Sequence, residues 1–106
     1  MSLTANKPTD VGDTLMHIAH YKGNKEDIRL LYQYGAKINV QNIQGKTPLH
    51  CLLESKEVST AIKLEMIQEF HQLYNVTIQD QDGKTVGDYA MEYCQESLPL
   101  LGISEL

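Results

Sequence analysis

The chain has no tryptophan, one phenylalanine, two cysteines and three prolines in 106 residues. Two cysteines, Cys51 and Cys94, are too few for a disulfide framework and have no close-spaced companions of the kind a zinc site uses. They are expected to be reduced, buried small apolar residues. No cluster of cations exists either: nine basic residues stand singly between Lys7 and Lys84, and the formal net charge is −5. Nucleic acid and anionic membrane surfaces both need grouped positive charge, so neither is an expected partner. No stretch approaches 18 uncharged apolar residues, and the opening MSLTANKPTD has no apolar run, so neither a spanning helix nor a leader is expected. The expectation is a chain that is soluble where it is made, in a cytoplasmic or other reducing compartment.

What is present is the balance of a globular protein, 42% apolar and 22% charged, in a length suited to one domain. The chain also repeats. GDTLMHIA at 12–19 returns as GKTPLHCL at 45–52, a spacing of 33 residues, and GKTVGDYA at 83–90 is a third, altered copy. Ahead of the later copies lie KINVQNIQ at 37–44 and NVTIQDQD at 75–82. Thr14, Thr47 and Thr85 each precede a helical pattern, where a hydroxyl can accept from an orphan backbone N–H. Pro48 occupies the first helical position after Thr47, where a missing N–H costs nothing. Gly12, Gly45 and Gly83 close the preceding turns. After the first copy, Ile28, Leu30, Leu31 and Tyr34 form a second helical stripe ending near Gly35.

These residues resemble the ankyrin repeat, whose central motif is G-x-T-P-L-H followed by small apolar residues. KTPLHCL at 46–52 matches it almost completely, and the first copy keeps Thr14 and His17 but has Leu15 and Met16 inside the motif. The resemblance implies an all-α solenoid of three helix–turn–helix units linked by β-hairpin-like loops. The units fall at about 9–41, 42–79 and 80–106, in a single domain whose residues 1–8 are expected to be flexible. Such units cannot bury their apolar faces alone, which is why they come in series.

The middle copy is enlarged, because 38 residues rather than 33 separate Gly45 from Gly83. Placing Ile28 and Leu31 on Ile67 and Phe70 puts the insertion in LLESKEVSTAIK. Either a longer inner helix or an extra turn at the start of the outer one is expected, capped by Ser59 or Thr60. The outer helix should then run to about Leu73 and bury Ile62, Met66, Ile67, Phe70 and Leu73. At the end of the chain, Ser97 and Pro99 could start a short helix. Leu98, Leu100, Leu101, Ile103 and Leu106 are expected to fold back on the second unit's outer helix, exposure of this end being a route to self-association of an otherwise monomeric chain.

Histidine invites a catalytic reading. The family resemblance instead gives His17 and His50 a structural role, bridging backbone groups and the capping threonine, while His20 and His71 are expected at the surface. Cys51 follows His50 directly, but adjacent helical residues do not face one another. No nucleophile elbow, phosphate-cradling loop or dinucleotide fingerprint occurs, and Asp80 and Asp82 in QDQDG lack the further ligands of a calcium loop. The expectation is a protein that is not an enzyme and that needs no cofactor and no metal.

The resemblance implies a function as well: a non-catalytic scaffold or adaptor that binds a protein or peptide on its concave face. The alternative is a targeting or regulatory segment of a larger enzyme, or of a secreted bacterial effector acting in a host cytosol. Carrying the family's contact positions over gives Val11, Asp13, Tyr21 and Lys22 in the first unit. Ile43, Gln44, Lys46, Glu54 and Ser55 follow in the second, and Gln81, Asp82, Lys84, Glu92 and Tyr93 in the third. Tyr21 and Tyr93 are the expected anchors, since tyrosine joins a large contact area to a polar tip. Asn39 in KINVQ holds the position at which some family members are hydroxylated.

Overall fold

A computed structural model describes residues 12–103, so Val11, the segment 1–8 and Leu106 lie outside the described residues. Five α-helices follow one another: α1 (Leu15–Lys22), α2 (Lys25–Gln33), α3 (Pro48–Glu54), α4 (Thr60–Phe70) and α5 (Val86–Tyr93). Single 3₁₀ turns, His71–Leu73 and Gln95–Ser97, extend α4 and follow α5, and no strand occurs among the described residues. The fold is the all-α stack expected from the repeat.

Threonine starts each inner helix. Thr14, Thr47 and Thr85 accept from the backbone N–H three residues on, and the side chain there, His17, His50 or Asp88, accepts in return from the threonine N–H. Two orphan donors are satisfied reciprocally at each start. Gly23, in the left-handed region at φ 70°, ends α1, and Asn24 caps α2 at once, so the first unit turns in two residues. The linking loops are tight turns: Asn42 N–H donates to Lys46 O and Asp80 N–H to Lys84 O, at 2.9 and 2.8 Å.

α3 packs between α1 and α5, and the core runs continuously through the three units. Met16, Leu49, Leu52, Leu53 and Val86 from the inner helices meet Ile28, Met66 and Ile67 from the outer ones, all fully buried. Outside, Lys25 pairs with Glu65 at 2.7 Å and Arg29 with Glu69, which sets α2 beside α4 with an offset of 40 residues. Exposed pairs of this kind stabilise little but report the register.

That register locates the insertion. α3 is no longer than α1, whereas α4 begins at Thr60, a turn ahead of the residue that matches the start of α2. Ser59 caps it by accepting from the Ile62 N–H. The preceding loop at 55–59 turns inward rather than out. Val58 is buried and lies against Gly23, and the Ser55 hydroxyl donates to the Tyr21 carbonyl at 2.6 Å. One expectation for α4 needs correcting: Ile62 and Leu73 are only half-buried, and Lys63 is buried in their place. Its ammonium donates to the Leu53 carbonyl at 2.8 Å, a group that the short α3 leaves without a helical partner.

The last turn also differs in detail. No α-helix starts at Pro99; Ser97 is buried and donates to the Cys94 carbonyl, and the chain continues as turns through Gly102. The fold-back does form, with Leu98 and Leu101 buried in the core and Leu100 and Ile103 packed partly against it. Leu100 and Leu101 share a shallow cleft with Gln68 and His71 of the second unit.

Two glycines show what close stacking demands. At Gly45 (φ 79°) a Cβ would stand 2.7 Å from the Gln81 amide nitrogen, and at Gly12 (φ 85°) the same distance from that of Ile43. Gly83 shares the φ of 79° but a Cβ there would meet nothing within 4 Å. Both Gly45→Ala and Gly83→Ala carry the left-handed penalty of about 1–2 kcal/mol. Gly45→Ala should lose clearly more, because it alone pushes two turns apart. Urea midpoints of the two variants measure the difference, and equal losses would rule out a packing role for the turn.

Candidate functional site

The histidines decide first whether the chain carries chemistry. His17 Nδ1 accepts from the Thr14 N–H at 3.1 Å, so the ring proton is on Nε2, which donates to the Lys46 carbonyl at 2.8 Å. His50 repeats the arrangement, with Nδ1 3.1 Å from the Thr47 nitrogen and Nε2 3.1 Å from the Lys84 carbonyl. Each ring therefore joins its own helix start to the next unit's turn. Burial is the main cause lowering both pKa values, against the opposing pull of the accepting carbonyls. Asp88, the third counterpart, closes its capping box at 3.0 Å but has no N–H to give a further carbonyl.

His20 does not lie at the surface. It shares a face of α1 with Met16, four residues earlier, and that face points into the core. Nδ1–H donates to the Met16 carbonyl at 2.9 Å, and Nε2 accepts from the Tyr74 hydroxyl at 2.9 Å. With both nitrogens satisfied, the ring can be buried completely while neutral. His71 is exposed.

Among the described residues no nucleophile is assembled around these rings. Both nitrogens of His50 are occupied, and burial pushes the Cys51 thiol up to about 12, so it stays protonated. Asp80 is a turn former rather than an exposed ligand. Its Oδ1 accepts from the Asp82 and Lys84 amides, and its Oδ2 from the Tyr89 hydroxyl at 2.6 Å. Burial pushes this carboxyl up, but those three bonds outweigh it and hold it below the usual carboxylate range. Among the described residues no group of three or more potential metal ligands occurs.

The expected contact residues lie along the turns and the ends of the inner helices. Counting from the capping threonines, Tyr21, Glu54 and Glu92 occupy equivalent positions, as do Lys22, Ser55 and Tyr93. Tyr21, Lys22, Glu92 and Tyr93 are exposed. Ile43 at the first turn tip is the most exposed large apolar residue described, at 72%, and Gln44, Gln81, Asp82 and Lys84 are exposed around it. The two tips touch through the Gln81 N–H, which donates to the Gln44 carbonyl at 2.9 Å.

Five residues are less available. Ser55 is buried and spent on the Tyr21 carbonyl, so it is no contact residue; the inward loop removes it from the surface. Lys46 and Glu54 are half-buried and pair with each other at 2.8 Å. Asp13 accepts from the Asn42 amide at 2.8 Å. Asn39 is half-buried too: its amide donates to the Leu73 carbonyl and its oxygen accepts from the Asn75 N–H, both at 2.9 Å, so the side chain ties two units together.

Sequence reasoning missed the residue at the centre of this face. Tyr89 is buried, holds Asp80, stacks edge-on with His50 at 4.6 Å and lies 6.0 Å from the Tyr93 ring. The Lys46 ammonium sits 5.9 Å from its centroid. Its place one turn after Thr85, with Asp80 just upstream, was the available signal.

Comparison with known proteins follows this geometry. Residues 16–68 match the family model described as ankyrin repeats (many copies). The chain is 32% identical over 82 residues to mouse (Mus musculus) Rabankyrin-5, covering 77% of this chain and 7% of that protein. It is 32% identical over 82 residues to the ADP-ribosylation factor GTPase-activating protein AGD4 of Arabidopsis thaliana, covering 76% of this chain and 10% of that one. Mouse ankyrin repeat domain-containing protein 53 is 45% identical over 47 residues, 41% of this chain and 10% of its own length. The chain thus spans a tenth or less of the relatives it matches.

The buried histidines predict an acid sensitivity with a definite sign. Burial, reinforced by the neighbouring His17 and opposed by the Met16 carbonyl, holds His20 at about 4 against 6.5 when unfolded. Its contribution is complete above pH 6.5 and is lost as the pH falls toward 4, because the unfolded chain takes up the proton first. A shift of this size corresponds to about 3 kcal/mol. Urea midpoints at pH 7.5 and 4.5 should fall accordingly, and His20→Gln should flatten the dependence; an unchanged slope would mean that His20 is not held neutral.

Proposed function

Because the chain belongs to the ankyrin-repeat family, whose members are generally protein-interaction modules, we propose that it is a scaffold or adaptor that binds a protein or peptide on its concave inner face. The observation that carries this reading is the placement of Tyr21, Ile43 and Tyr93. All three are exposed, on the inner-helix ends and a turn tip. The Ser55 hydroxyl holds the backbone at Tyr21 through its carbonyl, and the Tyr93 ring lies beside the buried Tyr89 ring. Tyrosine joins a large contact area to few rotatable bonds and is a favoured anchor.

The electrostatics favour a particular class of partner. Glu92, Asp82 and Asp13 stand around the aromatics together with the exposed Lys22 and Lys84, while Lys46 is neutralised by Glu54. A peptide or small domain that offers apolar side chains with flanking charges of both signs fits that surface. A full interface of about 800 Å² per side would engage most of a stack this short. The work of such a module belongs in the cytoplasm, and no helix of the described residues is long and apolar enough to cross a membrane.

A second reading is supported by the coverage. One relative is named as a GTPase-activating protein, and only a tenth of it aligns. This chain would then be the regulatory or targeting segment of a larger enzyme, still binding through the same face.

Affinity capture run in parallel with the parent chain, with Tyr21→Ala/Tyr93→Ala and with the outer-face change Tyr32→Ala tests the assignment. The double variant should lose the parent's partner by about tenfold or more, as removal of two anchors implies, while Tyr32→Ala keeps it. Retention of the partner by a double variant with a native circular dichroism melt would show that the inner face is not the binding surface.

A further inference from the structure

The first unit presents a second surface, on the side of α1 and α2 away from α3. A cleft of about 290 Å³ there is lined by Leu15, Ile18, Lys22, Asp27, Leu30 and Leu31. Leu15 and Leu30 are 43% and 51% exposed, and Tyr34, one turn beyond Leu30 on the same face of α2, is 54% exposed. Four of the lining residues, Leu15, Ile18, Asp27 and Leu31, are the equivalents of residues that the later units bury, whereas Leu30 matches the exposed Glu69. Relative to the capping threonine, Leu15 matches Pro48 and Val86, and Ile18 matches Cys51 and Tyr89, all buried. On the outer helix, Asp27 and Leu31 match Met66 and Phe70, again buried. The cleft is therefore a stacking face of the same kind as those inside the molecule, with nothing among the described residues covering it.

Charge argues for what covers it. The whole chain carries −5, so two copies repel over most of their surface. This face carries one charge of each sign: Lys22 at the end of α1 and Asp27 in the first turn of α2, both beside the turn at Gly23. α1 and α2 run antiparallel. A two-fold axis parallel to them lays α1 of one copy over α2 of the other with the turns at the same end. Lys22 then opposes Asp27 of the second copy, twice, around a centre of Leu15, Ile18, Leu30 and Leu31. The face is self-complementary in shape class and in charge, as an isologous contact requires.

We propose that this face is a dimer interface, through which two copies join first unit to first unit. The apolar C-terminal turn, the expected site of self-association, is folded into the core at Leu98 and Leu101 and does not serve. Helices of eight and nine residues are about 12–14 Å long, so the footprint is below the ~800 Å² per partner of a standard interface and the dimer is weak. It borders the inner face at Lys22, but Tyr21, Ile43 and Tyr93 do not line the cleft.

Sedimentation equilibrium from about 10 μM to about 1 mM, the range in which weak interfaces fill, tests the proposal. The parent chain should pass from monomer to dimer, with the amide NMR signals of Leu15, Ile18, Leu30 and Leu31 moving as it does. Leu30→Glu, at an exposed position, should leave the fold intact and keep the chain monomeric. Lys22→Glu should weaken the dimer by about tenfold or more, and Lys22→Glu/Asp27→Lys should regain it, since opposite charges face each other again. Covering of the face by the chain's own residues 1–11 would leave a monomer at every concentration. That result, a dimer indifferent to Leu30→Glu, or a double variant that folds without regaining the dimer would overturn the proposal.

Discussion

The stack depends on one imidazole used twice. His17 and His50 each satisfy an orphan amide of their own helix and, from the other ring nitrogen, a carbonyl of the next unit's turn. Only a neutral ring protonated on Nε2 can do both, so the bond that joins the units also fixes the ring's charge and tautomer. The joint needs the next turn close by, and the glycines at 12 and 45 permit that approach. Capping, turn geometry and stacking are thus one constraint seen from three sides. Where the third copy has Asp88, the box still closes but no inter-unit bond can be made from it.

Polar groups buried between the units are paired throughout. Among the described residues no buried side-chain nitrogen or oxygen lacks a hydrogen-bond partner. The enlarged middle unit shows how this is kept up when the repeat is disturbed. The five-residue loop separates α3 from α4, leaving a carbonyl at the end of α3, and Lys63 from the added turn of α4 reaches back to it. Val58 packs on the first unit's turn and Ser55 binds the end of α1. The insertion is therefore bonded to the unit before it and the core beside it. Among its loop residues, Lys56, Glu57 and Ser59 are exposed.

Repeat spacing made most of the fold legible. A 33-residue recurrence of Gly-x-Thr located α1 and α3, and the altered third copy located α5. The excess of five residues and the matching of Ile28 to Ile67 located the insertion between the two helices of the middle unit, but left open whether it lengthens α3 or adds a turn to α4, as it does. What the pattern could not give was the destination of side chains whose partners are distant in sequence. His20 read as a surface residue because the Tyr74 hydroxyl that donates to its Nε2 lies 54 residues away, at the end of the second unit. Lys63 failed for the same reason: a lysine in an amphipathic pattern reads as solvated unless a buried carbonyl awaits it. Ser55 was misplaced because family positions were carried into a unit whose loop had changed course. On the inner face, exposure followed from position along the repeat, but the pairing of Lys46 with Glu54 and the role of Tyr89 did not.

That pairing bears on selectivity. Lys46 lies between the Glu54 carboxylate and the Tyr89 ring, so its charge is already opposed on one side and faced by π density on the other. In the proposed contact a partner approaching Tyr21 and Tyr93 meets a neutralised centre, with acidic groups and the exposed Lys22 and Lys84 at the margins. An acidic group brought to that centre would have to break the Lys46–Glu54 pair, exposing a half-buried carboxylate in the process. A ligand with an apolar centre needs no such rearrangement. The same ordering of charge around an apolar middle, on a smaller scale, marks the open side of the first unit, where Lys22 and Asp27 flank four aliphatic residues. In both proposed contacts burial of apolar area would supply the affinity, and the placement of a few charges would decide which surface can come close enough to use it.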